Sequence, residues 1–110
     1  MSRSRRTRVR FPVLGGYSIT VIQSANLERT GKRMRADLKG CDAAWVNNPD
    51  NRMHCYLIFG ISPEAETIAH EASHAVRAMF NAVGVVGKDD DETFAYHLGH
   101  LVGRLHKFLK

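Results

Sequence analysis

The residue types most able to do chemistry in this 110-residue chain are packed into five positions, His70-Glu71-Ala72-Ser73-His74. Two histidines four residues apart fall on one face of an α-helix, about 40° apart around its axis. Both imidazoles can then reach a single tetrahedral Zn²⁺, and the intervening Glu71 is placed to act as a general base on a water beside the metal. A catalytic zinc site needs a third protein ligand and an open fourth position. A third histidine six residues after His74 is absent, since that position is Phe80. Glu92, eighteen residues after His74, is the favoured third ligand. Asp91, His97 and His100 are the alternatives.

These side chains must be positioned by helices. Ser62-Pro63-Glu64 reads as a helix start, with a hydroxyl cap, Pro at the first position and an acid in the first turn. The helix is expected to run to about Ala82 and to stop at Gly84. Its apolar stripe is Ile68, Ala72, Val76, Met79 and Val83, pointing away from His70 and His74. A second helix is expected over about Glu92 to Leu109, with Phe94, Leu98, Leu101, Leu105 and Phe108 as its core stripe. One of the aspartates 89–91 is expected to cap it. Ala95, Gly99 and Gly103 form a face almost without side chains, in register with Glu92. Glycine costs roughly 1 kcal/mol in a helix interior, so this face is expected to lie against the helix of the two histidines and to carry Glu92 toward them.

Before these helices the pattern is that of strands. Tyr17 to Gln23 reads as a strand buried on both faces, preceded by a shorter one and a Gly15-Gly16 turn. Residues 25–40 read as a polar connection with one or two helical turns around Leu27 to Leu38. Ala43 to Val46 and Met53 to Phe59 flank Asn47-Asn-Pro-Asp-Asn51 as a hairpin, with Trp45 expected near Met53 and Ala43 near Cys55. In that register Cys41 and Cys55 do not meet, so both are expected to be free and buried. The fold class expected is α+β, a small antiparallel or mixed sheet packed on two C-terminal helices.

With these elements in place, His70-Glu71-x-x-His74 followed by Glu92-x-x-Ala95-Tyr96 resembles the zincin metallopeptidases, and among them the gluzincin type. The small size and short insertion look most like the small zincin-like proteins of phages and prophages. The resemblance covers roughly residues 41–109. It implies a minimal zincin-like core in which an edge strand beside the active helix binds substrate as an added strand. Either Met53 to Phe59 or its hairpin partner is the expected edge. It also implies that His70, His74 and Glu92 hold Zn²⁺, that Glu71 is the base, and that the substrate is a protein or peptide. An oxyanion donor is then expected from Tyr96 or His100, one or two turns beyond Glu92, while His97 is expected to face outward.

Bulk properties bound the rest. Apolar content of 44% and charged content of 25% are those of an ordinary globular domain. No run is long enough to span a bilayer, and no apolar stretch follows the basic N-terminus, so a cytoplasmic protein without membrane contact is expected. Of the 16 Lys and Arg, five (Arg3, Arg5, Arg6, Arg8, Arg10) fall in the first ten residues, leaving 11 against 11 acids in the rest. Residues 1–10 are therefore expected to be a basic disordered tail, and 11–110 a single domain. The tail is a candidate for non-specific contact with nucleic acid, as is the run from Arg29 to Lys39. The alternative function is a zinc-containing accessory protein that binds nucleic acid or protein without cleaving peptides. Cys41 and Cys55 are not spaced as a zinc pair, which argues against a closed structural site.

Overall fold

Arg6, Arg8 and Arg10 alternate with Thr7, Val9 and Phe11, and in an extended chain successive side chains point to opposite faces. The computed structural model, which describes residues 4–84 and 91–110 and only the backbone of Asp91, uses that alternation. Ser4–Phe11 is a strand, β1, with Val9 and Phe11 buried and the three arginines exposed on the other face. The expectation of a disordered tail over residues 1–10 is thus corrected from Ser4 onward. Arg3 and the 85–90 connection, with its expected Asp cap, lie outside the described residues. A 3₁₀ turn, Pro12–Leu14, and two glycines at positive φ (Gly15 70°, Gly16 78°) reverse the chain. The Gly16 amide closes the reversal by donating to Phe11 O at 3.1 Å.

The return strand β2, Tyr17–Ser24, pairs antiparallel with β1 and is buried on both faces along most of its length. After it, Asn26 caps a short helix, α1 (Leu27–Arg33), by accepting the Arg29 amide at 3.0 Å. The hairpin strands are β3, Ala43–Asn47, and β4, His54–Phe59. β4 is parallel to β2 and antiparallel to β3, which gives a four-stranded mixed sheet of order β1-β2-β4-β3. The hairpin register differs from the expected one, because Trp45 lies opposite Leu57 and Ala43 opposite Phe59. The loop is longer than its turn residues imply. Asn48 and Asn51 each accept a backbone amide two residues on, from Asp50 at 3.0 Å and Met53 at 2.9 Å, holding residues 48–53 out of the ladder.

The two C-terminal helices are α2, Ala65–Val83, and α3, Asp91–Phe108, so the fold is α+β. α2 starts later than its sequence pattern indicates. Ser62 sits at φ 54° and donates its amide to Lys110 O at 2.8 Å, leaving Glu64 as the cap residue without a side-chain bond. Its end is as expected, with Gly84 at φ 81° donating to Phe80 O. The main core lies between these helices and one sheet face: Val9, Phe11, Ile19, Val21, Leu57 and Phe59 meet Ile68, Ala72, Val76, Met79, Leu101 and Leu105. On the other face Leu27 and Leu38 cover Ile22, Ile58 and Val46, with Ala44 and Tyr56 packed against this smaller cluster. Both cysteines are free, Cys55 buried and Cys41 exposed rather than buried. No helix among the described residues is long and apolar enough to cross a membrane.

Candidate metal centre

His70 and His74 lie on the exposed side of α2, turned from its buried stripe, and Glu71 lies at the flank between the two. The four-residue spacing stacks the two rings edge to face, with centroids 4.9 Å apart and planes at 80°. Their Nε2 atoms are 3.3 Å apart. Two ligands at the Zn–N distance of about 2.0–2.1 Å on a tetrahedral ion are separated by about 3.3–3.4 Å. The pair therefore has the spacing that one such ion requires. Glu71 is mostly covered, with its side chain 14% exposed, while His70 stands out at 68%. A Glu71 carboxylate oxygen is 4.0 Å from His70 Nε2. Ligand atoms of these three residues all fall within 4.8 Å of one another, the one such cluster of three among the described residues.

The surroundings are set by the sheet. α2 packs over β3 and β4, and the Trp45 ring of β3 lies 6.4 Å from the His74 ring. β3 is an edge strand with β4 on one side only, so the pair of histidines sits beside an unpaired backbone edge. Of the two strands expected to be that edge, it is the hairpin partner, β3. Trp45 Nε1 is buried with no oxygen or nitrogen partner among the described residues and faces the Cys55 thiol, which burial pushes up. A shallow hollow of 270 Å³ lined by Glu66, Thr67, His70 and Glu71 opens next to the site. Trp45 is the residue sequence reading missed. Its signal was the alternation that puts Ala43 and Trp45 on the face shared by Cys55 and Leu57.

The residues expected from α3 do not join the cluster. Glu92 is exposed at the second position of that helix and lies outside the group of ligand atoms. Tyr96 is 72% exposed. His100 is exposed, with its ring 5.9 Å from Phe11. His97, expected to face outward, is buried between Phe11 and Phe80, and its Nδ1 bonds Thr93 O at 2.8 Å. The physical reason is sheet order. Phe11 belongs to β1, the opposite edge from β3, and three strand spacings of about 4.8 Å put the two edges roughly 14 Å apart. Nor do Gly99 and Gly103 press on α2, because a methyl group added at either meets nothing within 4 Å. The Ala95-Gly99-Gly103 face looks to solvent, and α3 packs through Phe94, His97, Leu101 and Leu105 instead. No family model matches the chain, and no curated protein or solved structure matches it.

Proposed function

We propose that this chain is a zinc-dependent peptidase in which His70 and His74 hold the metal and Glu71 is the general base. The observation that carries the reading is the 3.3 Å separation of the two Nε2 atoms with the Glu71 carboxylate beside them. The donor set fits zinc in kind, offering two imidazoles next to a carboxylate with solvent access from the His70 side, and the third protein ligand is left to a residue outside this cluster. When bound there, zinc supplies a Lewis acid that lowers the pKa of a water to about 7 and polarises a carbonyl.

The remaining work falls to the chain. The unpaired edge of β3 offers backbone donors and acceptors to an extended peptide, which adds as a further strand running past Trp45 and His74. Glu71, held close to His70 and partly shielded from water, takes the proton of the attacking water. It then hands that proton to the departing amine, so the carboxylate is regenerated. Two free cysteines favour a reducing, cytoplasmic setting for this reaction.

Metal analysis of the purified protein, together with hydrolysis of a fluorogenic peptide library, tests this. About one zinc per chain is expected, lost in His74→Ala and kept in Glu71→Gln. Glu71→Gln is expected to lower turnover by about 10²-fold or more. Glu92→Ala decides whether Glu92 belongs to the ligand set: loss of zinc admits it, and unchanged zinc excludes it. Wild-type protein that takes up no zinc overturns the proposal.

A further inference from the structure

The sheet face away from α2 and α3 is covered over only half its width. Leu27 and Leu38 shield Ile22, Ile58 and Val46, and beyond them the surface is basic and aromatic. Cross-strand pairing places Arg8, Thr20 and Tyr56 in one row and Arg10, Ser18 and His54 in the next. Arg6, Thr7, Arg8, Thr20, His54 and Tyr56 line a hollow of 320 Å³ there. The floor of this hollow is rigid. His54 is buried, bonded through Nε2 to Thr20 Oγ1 at 2.7 Å and through Nδ1 to Asn48 Nδ2 at 2.9 Å. Its ring meets the Tyr56 ring edge-on at 4.6 Å, which fixes the partly buried tyrosine against the Ile22-Ile58 cluster.

Three facts bear on what binds here. Alternate residues on a strand are about 6.8 Å apart, so Arg6, Arg8 and Arg10 form a row of guanidinium groups at that repeat along an exposed edge. None of the three is in an ion pair among the described residues. The Tyr56 ring lies in the same row as Arg8, two strands in from the edge and so about 10 Å away at the backbone. Arginines tracking a backbone beside a stacking platform are the means by which single strands are held without sequence preference. We propose that this half-face binds single-stranded nucleic acid, with Arg6, Arg8 and Arg10 on successive phosphates and a base stacked on Tyr56. The site is on the opposite side of the sheet from the metal centre and does not depend on it.

Fluorescence anisotropy of the full chain with a labelled oligothymidylate of about 15 nucleotides tests the assignment. Three phosphate contacts predict a slope near about −2 for log K against log salt between about 50 and 200 mM. Arg6→Gln/Arg8→Gln is expected to weaken binding about tenfold or more and to bring the slope toward about −0.7. Arg104→Gln/Lys107→Gln removes the same charge from exposed positions on α3 and is expected to retain most of the affinity and the slope. Tyr56→Leu, checked for folding by circular dichroism, is expected to cost about tenfold with the slope unchanged. His74→Ala is expected to bind as wild type does. The proposal is overturned if Arg6→Gln/Arg8→Gln binds like wild type, or if the α3 pair weakens binding equally. It is also overturned if Tyr56→Leu has no effect, or if a matching duplex or polyglutamate competes as well as the single strand.

Discussion

Two imidazole nitrogens 3.3 Å apart on one helix face, with a Glu71 oxygen 4.0 Å from one of them, have the spacing of two ligands on one tetrahedral ion. His54 is a different kind of histidine. Burial pushes it below the ordinary imidazole value, and the Arg8 guanidinium pushes in the same direction. It is held neutral between Thr20 and Asn48. A depressed folded-state value means that the unfolded chain takes up the proton first as pH falls. The stability contributed by His54 is therefore complete above about pH 6.5 and is lost as pH drops through the lower folded-state value. Urea unfolding at neutral pH and near pH 5 is expected to show a smaller loss for His54→Gln than for wild type. Equal losses in the two proteins would remove His54 from the pH dependence. Burial pushes Tyr17 and Cys55 the other way, upward, so they stay protonated and act as core residues.

Among elements, the glycines of α1 and α3 sit in opposite surroundings. Gly99 and Gly103 open onto solvent on α3, so Ala at either removes backbone freedom from the unfolded chain without a clash. Each of Gly99→Ala and Gly103→Ala is expected to stabilise by about 0.5–1 kcal/mol in thermal or urea unfolding. At Gly31 of α1 an added methyl carbon lies 2.8 Å from Ala36 O and 2.6 Å from Leu38 Cγ. Gly31→Ala is expected to cost about 1–3 kcal/mol despite the better helix propensity of Ala, since backbone does not yield. A destabilising Gly99→Ala would mean that the face of α3 is covered after all. The same contrast applies to β1. From Arg6 on, its even positions carry charge and its odd positions carry Thr7, Val9 and Phe11, a period of two that marks a strand once the apolar half has helices to pack against. Counted as net charge alone, that segment resembles a tail.

At the scale of the molecule, Gln23 ties the two ends of the chain to the sheet. Its amide donates to Gly60 O at 3.1 Å and Lys110 O at 2.9 Å, and its oxygen accepts from Arg5 at 3.0 Å and the Lys110 amide at 3.3 Å. Arg5 also stacks on Phe108, 4.6 Å from the ring centre, and bonds its carbonyl. Gln23→Ala removes four part-buried hydrogen bonds, and a loss of about 1–3 kcal/mol in urea unfolding is expected. An unaffected midpoint would show that the clamp is unimportant. Nothing in the sequence near Gln23 announces this clamp, because its partners lie 37 and 87 residues away. What the sequence by itself determined is local. The helical pairing of His70 with His74, the end of α2 at Gly84, the core stripes of α2 and α3 and the α+β class all follow from spacings of a few residues. The tertiary structure alone decided which strand lies at the free edge beside His74, which face of α3 is buried, and that Glu92, Tyr96 and His100 stay outside the cluster. Those outcomes depend on strand order and helix rotation. Both are set by the burial of Val9, Phe11 and Leu57 under residues far along the chain, which no short spacing encodes.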